Sequence, residues 1–352
     1  MRKQSREFLK SILESPSPSG YEQPVQKLWR DYTQQFAKVR SDSHGNAIGV
    51  INPKGKPRFM LAGHCDEIGF LIRYIDEKGF LYFGAIGGWD ETIIPGRRVT
   101  IHTSKGPVPG VIGKTPIHLI KTEDRTKGSQ INDLWIDIGA PDKKTAESLV
   151  TIGDPVTYPY DFLELKTGLA VARGFDDRIG SFIVAEVLRE LSTVKTLKSS
   201  VHGVSTVQEE IGLRGAHSSS FGIDPQVGIA IDVTFATDQP GVEKKHVGEI
   251  KLGGGPVIAR GPNINPRVYE LLVDTAQKKN IPYQIEGIPR ATGTDANVIQ
   301  VTRAGVATGL VSVPLRYMHT PVETLDLRDV ELIIGLLAGF AEALKPGMDF
   351  IP

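Results

Sequence analysis

Apolar residues recur at helical spacing in two stretches near the start of the chain. The first stretch predicts a helix over residues 5–13 that ends before Pro16 and Pro18. The second predicts a helix whose apolar face carries Val25, Leu28, Trp29, Tyr32 and Phe36. Both helices are therefore expected to be amphipathic and to cover one side of a core.

The following segments change to a pattern typical of strands. Residues 46–51 and 58–62 are continuous apolar runs, and the second leads directly into the sequence GHCDEIG. From 70 to 160 the runs become short and alternate with Gly, Pro and Lys-Gly turns, as in FLIRYI, FLYFGAI, RRVTIHT, VPGVIG and LWIDIG. We therefore expect a small β-rich domain at 70–160, inserted into a larger domain formed by residues 1–69 and 161–352.

Helical and strand patterns alternate through the rest of the chain. Helices are predicted at 178–191, after 213, at 267–279, after 295 and at 327–344, with strands at 201–207, 227–231, 283–286 and 308–311. Such alternation favours an α/β fold in which a mostly parallel sheet is covered by helices on both faces. Ligands of such sheets collect beyond the carboxyl ends of the strands.

Composition excludes several functional classes. Lys plus Arg and Asp plus Glu number 41 each, so no net charge favours nucleic acid or an anionic membrane. Cys65 is the single cysteine, which rules out an internal disulfide framework. The N-terminal segment has no apolar core of a signal peptide, and no stretch approaches the roughly 18 apolar residues of a membrane span. A cytoplasmic location is the simplest expectation.

Acids and imidazoles concentrate near the predicted strand ends. They are His64, Asp66, Asp176, Asp177, Glu209, Glu210, Asp232 and His319. Taken singly, each has an ordinary structural interpretation, such as a helix cap, a turn residue or a hydrogen-bonded histidine. Those interpretations do not explain why so many collect at one edge of one sheet, and carboxylates with imidazoles are typical ligands of hydrolytic Zn, Co or Mn centres.

A site with two divalent ions requires a bridging carboxylate and separate ligands for each ion. Asp176 can bridge the two ions. The separate ligands are then His64 and Asp232 for one ion, and Glu210 and His319 for the other. In an extended chain, Asp66 projects to the same side as His64 and can fix its tautomer. Adjacent residues of a strand point to opposite sides, so Glu209 is free for proton transfer.

Five motifs in this order, GHCDEIG, GFDDRIG, VQEEIGLRGA, IAIDV and VPLRYMHTPVE, resemble the M42 family of metallo-aminopeptidases, the TET-type glutamyl, leucyl and lysyl enzymes. The resemblance covers essentially the whole chain. It implies two metal ions held by the residues His64, Asp176, Glu210, Asp232 and His319. It further implies Asp66 behind His64 and Glu209 as the general base.

The resemblance also implies the reaction and the assembly. Glu209 would take a proton from the attacking water and return it to the leaving amine, so that peptides with free N-termini lose their first residue. The insertion is similar to a PDZ-like dimerisation domain, which implies a homododecamer built from dimers. Which first residue of the substrate is preferred, glutamyl, leucyl or lysyl, stays open.

Several other residues have two interpretations at this stage. Thr294 and Asp295 open a predicted helix, where a capping role and a substrate-facing role are equally plausible. Arg316 either pairs with a site carboxylate or lies on the surface. The glycines at 253–255 are expected to allow a close backbone approach near the site, and the thiol of Cys65 to make the site sensitive to oxidation or heavy metals.

Three rival functions are compatible with parts of this pattern. A glycoside hydrolase could use Glu209 or Glu210 with an aspartate, but paired carboxylates leave His64 and His319 unexplained. A catalytically silent assembly protein would lack a ligand or the base, and none is missing. A related dinuclear amidohydrolase, such as a deacetylase or carboxypeptidase, is separated from an aminopeptidase only by its substrates.

Overall fold

The computed structural model describes residues 1–124 and 127–352, and Arg125 and Thr126 of the predicted insertion lie outside the described residues. Helices and strands alternate through most of the chain. The helices are α1 (Lys3–Glu14), α2 (Gln23–Thr33), α3 (Lys143–Leu149), α4 (Phe175–Leu191), α5 (Arg214–Ile223), α6 (Lys244–Val247), α7 (Pro266–Lys278), α8 (Ala296–Gln300) and α9 (Leu327–Ala343). The strands are β1 (Lys38–Ser41), β2 (Ala47–Ile51), β3 (Arg58–His64), β4 (Gly69–Ile75), β5 (Leu81–Ile86), β6 (Arg98–Thr103), β7 (Gly106–Gly113), β8 (Trp135–Asp137), β9 (Pro155–Thr157), β10 (Leu163–Glu164), β11 (Leu169–Ala172), β12 (Ser200–Thr206), β13 (Val227–Phe235), β14 (Val257–Arg260), β15 (Gln284–Gly287), β16 (Ala307–Leu315) and β17 (Glu323–Asp326).

The central sheet has the order β1-β2-β12-β3-β13-β16-β14-β15. Its four middle strands, β12, β3, β13 and β16, are parallel. Strand β2 pairs antiparallel with β1 and β12, whereas β14 pairs antiparallel with β16 and parallel with β15. The middle strands are buried on both faces, which explains their continuous apolar sequences. The predicted α/β fold with a mostly parallel, helix-covered sheet is confirmed.

The segment from β4 to β9 folds as a closed barrel with the strand order β4-β5-β8-β7-β6-β9. Its interior has its own apolar cluster, which includes Phe70, Ile72, Ile101, Ile136 and Val156. All five of the short runs noted in the sequence contribute a strand to this barrel. A third, three-stranded sheet joins β10, β11 and β17.

Helix α4 packs against the central sheet and determines where the chemistry lies. At its closest point the helix meets β3 at Gly63 and Gly180, where a Cβ on Gly63 would lie 2.4 Å from the carbonyl carbon of Gly180. Only glycine permits this approach. The helix start is thereby held against the last residue of β3, which is His64.

The structure corrects the predicted boundaries in two places. Helix α2 ends at Thr33, so Phe36 lies beyond it and packs against the core from a turn. Strand β13 does not end before Asp232 but continues to Phe235, because β16 pairs with it over its full length whereas β3 pairs only as far as Ala230. Among the described residues, no helix is both long and apolar enough to cross a membrane.

Candidate active site

His64 is the last residue of β3, and its imidazole is 2% exposed. Its Nδ1 lies 3.1 Å from the carbonyl oxygen of Asp66 and 3.4 Å from Oδ1 of the same residue. An acceptor on Nδ1 favours the tautomer in which Nε2 carries a free lone pair. That Nε2 faces the other acids and imidazoles of the site, 3.3 Å from Oδ1 of Asp176.

The carboxylate of Asp66 is fully buried and organises its surroundings beyond His64. Its Oδ2 accepts hydrogen bonds from the hydroxyl of Ser19 at 2.7 Å and from the backbone N–H of Glu210 at 3.2 Å. Its Oδ1 accepts the backbone N–H of Glu209 at 3.0 Å. Although burial raises its pKa, the hydrogen bonds and charge of His64 and the other donors leave the pKa of Asp66 below its usual value.

Asp176 lies at the start of α4, where it and Asp177 have non-helical backbone angles and are joined by a cis peptide bond. Its two carboxylate oxygens face different imidazoles: Oδ1 lies 3.3 Å from Nε2 of His64, and Oδ2 lies 3.3 Å from Nε2 of His319. Asp176 therefore occupies the middle of the cluster and connects its two halves.

Glu209 and Glu210 lie in the loop after β12, where the strand has already ended. Both side chains face the cluster: Oε2 of Glu209 is 3.8 Å from Nε2 of His64, and Oε1 of Glu210 is 3.5 Å from Nε2 of His319. The opposite orientation expected of a continued strand does not arise, because Gln208 has a φ of 55° and turns the chain.

The structure brings all seven predicted residues, His64, Asp66, Asp176, Glu209, Glu210, Asp232 and His319, to one region. Two overlapping groups have nitrogen and carboxylate atoms within 4.8 Å of one another. One group is His64 with Asp176 and Glu210, and the other is His64 with Glu209 and Asp232. Asp176 follows a strand of the small sheet rather than of the central sheet, so the site combines both sheets.

The cluster is electrostatically unusual for a protein interior. Burial, together with neighbouring carboxylates, raises the pKa of Glu209, Glu210 and Asp232. Burial lowers the pKa of both imidazoles, but the surrounding carboxylates outweigh it and raise the pKa of His64 well above its usual value and that of His319 to about 9. These groups repel or attract one another strongly because they share one desolvated space.

This donor set fits divalent cations. Its atoms are carboxylate oxygens and imidazole nitrogens, and within the described residues the one cysteine contributes no thiolate, since Cys65 is buried in the main hydrophobic core. Oε1 of Glu210 is buried and has no hydrogen-bond donor among the described residues. A cation there would compensate the buried carboxylate and hold the neighbouring acids ionised.

A cavity of about 490 Å³ opens onto the cluster. It is lined by His64, Asp176, Glu209, Glu210 and Asp232 of the cluster. It is also lined by residues of the segment 286–294. The cavity is large enough to admit part of a peptide, so the cluster is accessible to a substrate.

The structure distinguishes between the two interpretations that the sequence left for Asp295, Thr294 and Arg316. Asp295 does not cap α8 with its side chain; its buried carboxylate accepts the hydroxyl of Thr206 at 2.6 Å, and Thr294 lines the cavity. Arg316 pairs with Asp238, at 2.8 Å, and not with a carboxylate of the cluster.

The structure does not support two further expectations, the position of the 253–255 glycines and the reactivity of Cys65. The 253–255 glycines pack against the start of α9 rather than at the cavity, with the N–H groups of Gly253 and Gly255 donating to Asp329. The thiol of Cys65 is fully buried, and burial raises its pKa well above the usual value, which opposes the predicted reactivity.

Glu323 supports the site and was missed in the sequence. Its Oε2 accepts the backbone N–H of Asp176 at 3.1 Å, and its Oε1 accepts that of His319 at 3.0 Å. Its spacing of four residues from His319, across a Thr-Pro turn, is the signal that could have identified it as a loop-closing acceptor. Asp177 similarly accepts the backbone N–H of His64 at 3.1 Å.

Known proteins match this chain over nearly its whole length. The lysyl aminopeptidase of Pyrococcus furiosus is 42% identical, and the match covers 98% of this chain and 99% of the relative. The crystal structure of a TET aminopeptidase from a marine-sediment Thaumarchaeota archaeon superimposes with a TM-score of 0.93 at 33% identity, covering 97% of both chains. The Pyrococcus horikoshii TET1 peptidase, which can assemble into a tetrahedron or a large octahedral shell, matches with a TM-score of 0.87 at 34% identity, over 97% of this chain and 100% of that chain.

The family assignment rests on these matches together with the convergent acids and imidazoles. A family model for M42 glutamyl aminopeptidases matches residues 45–336, which include every residue of the cluster. The barrel and the central sheet both lie largely within the matched range. The chain therefore belongs to the M42 glutamyl aminopeptidase family.

Proposed function

We propose that this chain is a dinuclear metallo-aminopeptidase that removes the first residue from peptides with free N-termini. The observation that carries the proposal is the position of Asp176, whose two oxygens each lie 3.3 Å from the Nε2 of a different histidine. A carboxylate placed between two imidazoles is the arrangement that a bridging ligand requires. The family assignment supplies the aminopeptidase reaction.

The proposed ligands divide into two halves around Asp176. His64 and Asp232 would hold one ion, and Glu210 and His319 would hold the other. Two bound divalent cations, Zn, Co or Mn, would polarise the scissile carbonyl and lower the pKa of the attacking water. Nδ1 of His64 is already engaged by Asp66, and Nδ1 of His319 lies 2.8 Å from the carbonyl oxygen of Gly88, so each imidazole presents Nε2 to the centre.

Glu209 is the proposed general base. It lines the cavity and its carboxylate lies 3.8 Å from Nε2 of His64, so it borders both the ligands and the substrate space. It would accept a proton from the attacking water and deliver it to the leaving amine. Asp66 positions this residue by accepting its backbone N–H, at 3.0 Å.

The proposal is tested with amino-acid p-nitroanilides and with paired free-amine and N-acetylated peptides. Each is assayed before and after verified chelation, and again after adding Zn, Co or Mn. Cleavage of the free-amine substrates alone, lost on chelation and restored by metal, is the expected result. Equal cleavage of acetylated peptides would point to a related amidohydrolase, and full activity without metal would overturn the metal assignment.

The two other functions considered from the sequence are less well supported. A glycoside hydrolase with paired carboxylates has no use for two buried or half-buried imidazoles around Asp176. A silent assembly protein gives no account of a cavity that leads to a buried acidic cluster. Activity on cellulose that survives chelation would favour the first, and no activity on any substrate with metals bound would favour the second.

Assembly, domain roles and location are further parts of the proposal. We propose that residues 70–160, which include most of the barrel, form the dimerisation domain, and that residues 1–69 and 161–352 form the catalytic domain. The related structure PhTET1-12s, 34% identical to this chain, is a dodecamer in the asymmetric unit, which supports a homododecamer here. Light scattering coupled to size-exclusion chromatography would distinguish twelve subunits from two. A cytoplasmic location stays a prediction from the sequence.

A further inference from the structure

A carboxylate outside the proposed metal cluster lines the same cavity. Glu286 lies on β15, and its Oε1 accepts a hydrogen bond from the hydroxyl of Thr234 at 2.9 Å. Thr234 follows Asp232 by two residues in β13, so both side chains lie on one face of the strand, about 7 Å apart along it. Through Thr234, Glu286 is therefore linked to the strand that carries Asp232, and its side chain lines the same cavity as the cluster.

The charge of Glu286 has no cationic partner in the part of the chain that the structure describes. Among residues 1–124 and 127–352, no Lys, Arg or His forms an ion pair with it, and the Thr234 hydroxyl is its hydrogen-bond donor. Burial raises the pKa of Glu286, and the hydrogen bond from Thr234 only partly opposes this. A half-buried carboxylate without a cation is stabilised by any positive group that enters the cavity.

The cavity that Glu286 shares with the cluster also has apolar walls. Its lining includes Phe235, Val247, Ile288 and Met318. Phe235 is 59% exposed and Val247 is 48% exposed, although both are large apolar side chains. Lysine and arginine combine an apolar stem with a cationic end, so such a wall suits their stems while the carboxylate receives their charge.

The same cavity also has a cationic side chain, whose charge would favour acidic rather than basic substrates. Arg290 also lines it and would attract an acidic side chain. Arg290 is exposed, however, whereas Glu286 is half-buried. Water and salt screen an exposed charge more strongly, so the carboxylate has the larger effect on a side chain inside the cavity.

We propose that Glu286 selects substrates whose first residue is basic, lysine or arginine. The proposal rests on the aminopeptidase function proposed above. The family description and the relatives name different residues, glutamyl and lysyl, so the choice follows from the cavity of this chain rather than from its relatives.

The test compares kcat/KM for lysyl, arginyl, leucyl and glutamyl p-nitroanilides in the metal-loaded wild type, in Glu286→Gln and in Arg290→Gln. The glutamine keeps the size of Glu286 and its contact with Thr234. The wild type is expected to prefer the two basic substrates, and Glu286→Gln to lower the ratio of lysyl to leucyl kcat/KM about tenfold or more. Arg290→Gln is the matched control and should leave that ratio within about twofold.

A second variant keeps the test decisive if the first folds poorly. Glu286→Lys reverses the charge and is expected to make the glutamyl substrate better than the lysyl one. A lysyl-to-leucyl ratio that neither variant changes would overturn the proposal, as would a wild-type preference for the glutamyl substrate that Arg290→Gln abolishes. Leucyl hydrolysis without basic preference refutes only this proposal, whereas no hydrolysis of any free-amine substrate refutes the proposed function itself.

Discussion

Replacing Asp66 by asparagine tests how the loop that carries Glu209 and Glu210 is held. The carboxylate accepts donors at both oxygens: Ser19 and the Glu210 N–H at Oδ2, and the Glu209 N–H at Oδ1, with His64 Nδ1 at 3.4 Å from Oδ1. Asparagine has one oxygen, so one of these positions receives an NH₂ group that cannot accept. Since the Ser19 hydroxyl can rotate to accept, the least damaging orientation still leaves the Glu210 N–H unpaired.

The expected loss of stability follows from the number of hydrogen bonds that the substitution removes or weakens. At least one backbone hydrogen bond to a charged acceptor is lost in a buried site, and the remaining bonds become bonds to a neutral group. We expect a loss of about 2–4 kcal/mol in the free energy of unfolding. Because Asp66 also orients His64, metal affinity should fall roughly 10- to 100-fold.

Urea unfolding measures the first effect, and calorimetric titration of the metal-free protein with Zn or Co measures the second. Asp42→Asn is the control, because Asp42 accepts backbone N–H groups from His44, Gly45 and Asn46 in a turn that does not line the cavity. The control should lose stability while keeping its metal affinity. An Asp66→Asn protein with unchanged unfolding free energy and metal affinity within twofold of wild type would refute the reasoning.

Two further variants test the site, and a third tests a buried group of ion pairs elsewhere in the fold. Glu209→Gln should lower kcat by about 100-fold or more while metal content, measured by mass spectrometry, stays unchanged; normal turnover would remove Glu209 as the base. His64→Ala should lower metal occupancy in the same measurement, and full occupancy would contradict its role as a ligand. Glu67→Gln should cost about 3–5 kcal/mol near neutral pH in urea unfolding, because it leaves Arg173 and Arg178 buried without their carboxylate partner. Since Arg173 and Arg178 outweigh burial and lower the pKa of Glu67, this difference should persist above about pH 4.3 and shrink as the pH falls through the folded-state pKa; a pH-independent difference would argue against the linkage.

The strongly patterned elements of the fold could be predicted from the sequence. Helices α4 and α9 are long, and β13 begins with the apolar run Val227–Ile231, so local pattern and tertiary burial agree. The short strands β1 and β14 escaped prediction, because strands of only four residues depend on their partner strands rather than on their own sequence.

The candidate site could be predicted where a residue follows an apolar strand. His64 and Glu210 are of this kind, and the carboxyl ends of parallel strands meet at one edge of the sheet. Glu323 could not be predicted in this way, because it lies in β17 of a different sheet and contacts Asp176 only through the tertiary fold. Asp295 likewise precedes a helix as a cap would, yet its carboxylate binds the hydroxyl of Thr206 instead.

The central claim is that two divalent ions, held around Asp176, carry out aminopeptidase chemistry. The most direct test is to titrate the metal-stripped protein with Co while recording bound metal per chain and hydrolysis of a free-amine p-nitroanilide in the same samples. Two ions bound per chain, with activity that is absent without metal and appears as these sites fill, is the predicted result. Full hydrolysis by the verified metal-free protein, or saturation with no activity on any free-amine substrate, would contradict the account.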